Sequence, residues 1–142
     1  MKNIVIFCIA IFIFSSCQKE AGEGGTSVIE GKVFKKFTMA DPNTGLDTVI
    51  YFEEYVGEDV FIIYSDDESQ IYDDKCETDW QGRYRFEYLR KGDYTLYVYN
   101  DSTEQRTATI EIKHEWPIFK SISIKSNNST VTVTDFEIEK NP

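Results

Sequence analysis

The chain has 142 residues, with 25 Asp and Glu against 15 Lys and Arg, a formal net charge of −10 at pH 7. That balance argues against a nucleic-acid partner or an anionic-lipid docking face, since both demand clustered cations. The length leaves room for one hydrophobic core and not for two.

In chain order, the first segment is an address. Met1-Lys2-Asn3 is followed by an apolar run, Ile4–Phe14, and then by Ser15-Ser16-Cys17. One cation before eleven residues without a charge has the layout of a secretory signal, and the run is shorter than the roughly 20 residues of a membrane span. The small pair before Cys17 resembles the lipobox of bacterial lipoproteins, with Phe14 where that family usually has Leu, Val or Ile. The resemblance implies that residues 1–16 are removed and that Cys17 carries the fatty-acyl (palmitate-type) anchor. The polar segment after Cys17, from Gln18 to Thr26, reads as a flexible Gly-rich tether. Its Lys19-Glu20 resembles the export signal of Bacteroidetes lipoproteins, which implies the outer membrane and the cell surface. Cys8 lies inside the apolar run, so Cys76 has no partner for an intrachain disulfide and reads as a small buried hydrophobe.

Beyond residue 27 nearly every segment reads as strand, rich in aromatic and β-branched residues and without a helical period. Ser27–Lys36 is the first, with Ile29, Gly31 and Val33 on one face. Phe37–Asp47 carries Asp-Pro and Asn-Thr-Gly, which is turn chemistry. Thr48–Val56 and Asp59–Ser65 are joined by Gly57-Glu58, the pattern of a tight hairpin. Ser65–Asp74 holds a charged loop. Asp79–Gly82 is a turn, after which Tyr84, Phe86 and Tyr88 alternate with charged residues, and Arg90–Asp93 turns the chain into Tyr94, Leu96 and Val98. Arg106–Lys113, Ile118–Lys125 and Thr130–Glu139 follow, separated by Asn100–Glu104, by His114-Glu115-Trp116-Pro117 and by Ser126–Ser129. Eight or nine short strands at this spacing predict an all-β sandwich over residues 28–139, preceded by a signal peptide (1–16) and a lipidated tether (17–27).

The pattern T-D-x-x-G-x-Y-x-F-x-x-L-x-x-G-x-Y-x-L-x-V over Thr78–Val98 resembles the central signature of prealbumin-like domains. That group includes the carboxypeptidase regulatory-like domains, the B-type repeats of collagen adhesins and the transthyretin relatives. Ile29-x-Gly31-x-Val33 and Val60-x-Ile62 resemble its earlier strands, and the implied hairpin of Tyr84–Tyr88 with Tyr94–Val98 would present one face to the core.

The activities of that group do not transfer. Its hydrolases and the related iron dioxygenases need several histidines, and His114 is the only one here. The adhesin crosslink would join Lys32 to Asp135, but Val98 stands where the promoting acid belongs. The acids Asp66, Asp67, Glu68, Asp73, Asp74, Glu77 and Asp79 lack the spacing of a calcium loop and read as a solvated surface. No catalytic set, cofactor or metal site is therefore expected. The expected role is a non-catalytic binding or accessory module that contacts a surface protein or a glycan. The alternative is a spacer or assembly subunit, and a hydrolase comes last. Candidate contact residues are Trp80 in its turn, Tyr97 and Tyr99 on the face opposite Leu96 and Val98, and Trp116. The competing reading is that these rings pack internally, Trp80 beneath Phe37–Asp47.

Overall fold

The computed structural model describes residues 20–107 and 110–139. The signal segment, Cys17 and the start of the tether lie outside the described residues. Nine strands and no helix occur among those described: β1 (Glu23–Ala40), β2 (Asp47–Glu54), β3 (Asp59–Ile63), β4 (Asp74–Glu77), β5 (Arg83–Leu89), β6 (Gly92–Thr107), β7 (Ile110–Ile124), β8 (Thr130–Thr132) and β9 (Phe136–Glu139). One sheet is built on β1, with β2, β5, β8 and β9 as its partners, and the other has the order β4-β3-β6-β7. The fold is an all-β sandwich.

β1 is the spine. Its first half pairs antiparallel with β5 and its second half with β2, while β8 and β9 run parallel to it at Val28–Glu30 and Val33–Lys36. Inward side chains from both sheets, among them Ile29, Val33, Val60, Ile62, Phe86, Leu96, Val98, Phe136 and Ile138, form one core.

Several expectations are corrected. The tether does not run to residue 27. The Gly22 N–H donates to the Tyr94 hydroxyl (3.0 Å), the Arg90 N–H donates to the Gly22 carbonyl (2.9 Å), and β1 begins at Glu23. Glycine makes this docking possible, because a Cβ on Gly25 would lie 2.0 Å from the Leu89 carbonyl oxygen.

Phe37–Ala40 is strand, and only residues 41–46 form the turn of the β1–β2 hairpin. Gly57-Glu58 does not close a hairpin either, because β2 and β3 belong to different sheets. Instead the Thr78 hydroxyl donates to the Tyr55 carbonyl and accepts from the Glu58 N–H, fastening the crossover. Likewise β5 and β6 are not a hairpin, since the turn at Gly92 carries the chain from one sheet to the other.

Local slips in phase explain two further differences. Tyr88 takes a positive φ of 58°, which turns it outward (70% exposed) and sends Leu89 into the core in its place. Thr130–Glu139 is two strands, and one extra residue between them changes which side faces in. Val133 is buried before the break, Phe136 and Ile138 after it, and Asp135 is left exposed.

The stretches Asn100–Glu104 and His114–Pro117 do not interrupt strands. β6 and β7 pair from Gly92↔Ile124 to Thr107↔Ile110, with one irregularity between Gln105 and Thr107. Two strands that satisfy each other's backbone groups need no apolar face to continue, and Pro117 is tolerated because β7 is an edge strand. The charged strand β4 escaped notice for the same reason, its residues being exposed apart from half-buried Cys76.

Candidate functional site: an aromatic sheet face

The outer face of the β4-β3-β6-β7 sheet carries a second layer of apolar side chains. Residues directly opposite in antiparallel strands share a face. The pairs Phe61↔Lys75, Phe61↔Tyr97 and Tyr97↔Phe119 therefore set Lys75, Phe61, Tyr97 and Phe119 in one row across four strands. Phe61 and Tyr97 stack with centroids 4.9 Å apart and planes within 12°, and Phe119 lies 5.3 Å from Tyr97. Tyr72 tilts over Phe61 at 4.9 Å, and Tyr99 meets both Phe61 (5.7 Å) and Tyr97 (5.6 Å) edge-on.

The two added rings form the accessible surface, Tyr72 being 43% and Tyr99 41% exposed. Tyr97 is the floor. At 7% exposure it is buried, which corrects the expectation that it would be offered to a partner, and burial pushes its hydroxyl up to about 12. Lys75 closes one rim, its ammonium 5.9 Å from the Phe61 ring and 2.7 Å from the Asp59 carboxylate, a contact that raises its pKa.

The other candidate residues lie elsewhere. Trp116 pairs with buried Asn100 and so shares the face of Val98, opposite Tyr99, and is itself 41% exposed. Trp80 stands 75% exposed in its turn, so Phe37–Asp47 does not cover it. The turn itself is tightly made. One Asp79 carboxylate oxygen accepts from the N–H groups of Gln81 (2.8 Å) and Arg83 (2.9 Å), the Gly82 N–H donates to the Asp79 carbonyl (2.9 Å), and Gly82 takes φ 68°. Those donors, the Arg83 N–H foremost, hold the Asp79 carboxyl below its ordinary pKa.

The one thiol and the one imidazole among the described residues are kept apart. Cys76 on β4 and His114 on β7 occupy opposite edges of the four-stranded sheet. Burial pushes the Cys76 thiol up to about 11, which keeps it protonated and a poor nucleophile at neutral pH. A cleft of about 760 Å³ is lined by Lys32, Cys76, Tyr84 and Asp135, among others. Lys32 holds its ammonium 5.5 Å from the Phe34 ring. Among the described residues no three His, Cys, Asp or Glu side chains come together as a metal site. The acidic loop is occupied with its own backbone: Asp67 accepts from the Ser69 N–H and Asp73 from the Tyr64 N–H.

Reading along the sequence missed Phe61, Tyr72, Lys75 and Phe119 as members of the site. The available signal was Asp59-Val60-Phe61-Ile62-Ile63, a strand apolar on both faces, which requires something over each.

No family model matches the chain, and no curated protein does. Among solved structures, the chain is similar to a proposed carbohydrate-binding protein from Pseudomonas aeruginosa, with 14% identity, a TM-score of 0.48, and coverage of 80% of this chain and 91% of that one. A likeness at that level assigns no ligand to this chain.

Proposed function

We propose that the protein is a prealbumin-like module, lipid-anchored at Cys17 on the outer membrane and facing the cell exterior. It acts by binding rather than catalysis, and its ligand-contacting surface is the face capped by Tyr72 and Tyr99. The observation that carries this reading is the aromatic layer itself. A sheet with one face in the core and the other in solvent alternates apolar and polar residues, whereas here the outer face holds five interlocked rings, two of them half open. Rings braced against one another offer a large contact area with a polar handle and little conformational entropy left to lose. With Lys75 and Asp59 as a polar rim, the arrangement suits a glycan, whose rings present an apolar face and hydroxyl edges.

The test is affinity electrophoresis of the soluble domain through a panel of polysaccharide gels, followed by Tyr72→Ala and Tyr99→Ala on any positive. Each substitution is expected to weaken retention about tenfold, equivalent to ~1.4 kcal/mol, while far-ultraviolet circular dichroism stays unchanged. Retention unaltered by both would remove this face from the account.

A second reading, assembly with another surface protein, rests on the β1–β2 hairpin. Met39, Leu46, Tyr51 and Phe52 are all half or more exposed there, and Phe37 stacks on Tyr51 at 4.4 Å.

A further inference from the structure

The chain enters the fold at a fixed point. From Ala21 onward the backbone is stitched to the turn between β5 and β6. The Tyr94 hydroxyl receives the Gly22 N–H and donates to the Arg90 carbonyl (2.7 Å), and Gly22 lies against the Tyr64 ring. Gly92 has room only for hydrogen beside Ala21, since a Cβ there would come within 2.7 Å of the alanine methyl. The loop after β3 and the turn between β7 and β8 reach the same end: Ser65, Asp66, Lys91 and Asn127 line one open depression of about 1000 Å³ with Glu20 and Ala21.

Four residue steps separate Cys17 from Ala21, and four fully extended residues span at most about 14 Å. β1 and β6 both lead away from this end. The Asp79–Gly82 turn lies at the far end of β5, and the turn at 41–46 begins after Ala40, 13 residue steps up β1 from Ser27, roughly 43 Å at strand rise.

We infer that the end formed by the 65–70 loop, the 90–92 turn and the 126–129 turn rests against the lipid headgroup layer, and that the β1–β2 and β6–β7 hairpins stand away from it. This orientation rests on the anchor reading at Cys17. The acidic surface supplies no electrostatic attraction to lipid, so the docking is imposed by tether length and the stitched entry of the chain.

The test uses the acylated full chain, purified from membranes and reconstituted in phosphatidylcholine vesicles doped with headgroup-nitroxide lipid. Single cysteines carrying a fluorophore are placed at Asn127 and, separately, at Thr44, both in a Cys76→Ser background. Asn127 is expected to be quenched several-fold more than Thr44. Twenty Gly/Ser residues inserted between Glu20 and Ala21 should erase the difference. Equal quenching in a chain that floats with the vesicles overturns the orientation while leaving the anchor intact. A chain that fails to float overturns the anchor reading and the orientation with it; Cys17→Ala marks what that failure looks like.

Discussion

Asp79 and Trp80 show how one carboxylate presents one ring. The Asp79 side chain ties down two backbone N–H groups, and Gly82 supplies the positive φ that closes the turn, so the indole is carried on a rigid corner with three-quarters of its surface in water. Because the folded-state pKa of Asp79 is depressed, its support is complete above the ordinary carboxylate range and is lost as the pH falls through the lowered folded value. In a Trp116→Phe background, Trp80 emission should therefore titrate in acid before the fold melts. Asp79→Ala should abolish that acid step, its emission at neutral pH already matching the acid form, while circular dichroism is retained; an unchanged titration would dismiss Asp79 as the support. Trp80→Ala, removing an exposed ring, should change stability by no more than about 0.5 kcal/mol. The turn was legible in Asp79-x-x-Gly82 because its chemistry is local. The fate of Tyr97 was not, since its burial depends on Phe61 from β3, Phe119 from β7, and Tyr72, which the loop before β4 lays over Phe61.

Among the elements, β1 concentrates the dependence of the fold. Four other strands use it as a partner, and its first residues are admitted only by glycine. Gly25→Ala puts a methyl into the Leu89 carbonyl and should cost about 3 kcal/mol, the upper range of overpacking. Hydrogen exchange will locate the damage: the amides of residues 22–27 should lose protection first, and uniform loss across β1 would mean that this segment is not a separable unit. The strands themselves were readable from alternation, whereas their partners were not. Gly57-Glu58 and Arg90–Asp93 have the composition of hairpin turns, yet both carry the chain between sheets, because sandwich pairing is decided by which faces share the core. Lys120 is a related case. It pairs with Leu96 and so points inward from the edge strand β7, where its ammonium finds the Thr134 and Asp135 carbonyls at 2.7 and 2.8 Å. An inward charge at an exposed edge discourages a foreign strand from adding there, and Lys120 also draws the chain between β8 and β9 toward the opposite sheet.

At the scale of the whole molecule, the first strand is completed by the last two. β8 and β9 reach β1 across about a hundred residues, as in the bond from the Ser27 hydroxyl to the Ser126 carbonyl and the Lys36–Glu139 ion pair. Deleting residues 130–139 should leave the spine unpaired along one flank and abolish cooperative thermal unfolding; a sharp transition in the truncated chain would show that β8 and β9 are accessory. Such non-local pairing also makes for slow folding, in the millisecond-to-second range seen for sandwiches, which stopped-flow refolding will measure. Under the export to the cell surface that we propose, this delay has a use. A polypeptide emerging from the ribosome cannot close its sandwich until its final strands have been made, so it stays threadable through a translocation pore, and folding is deferred to the compartment where the protein is to work.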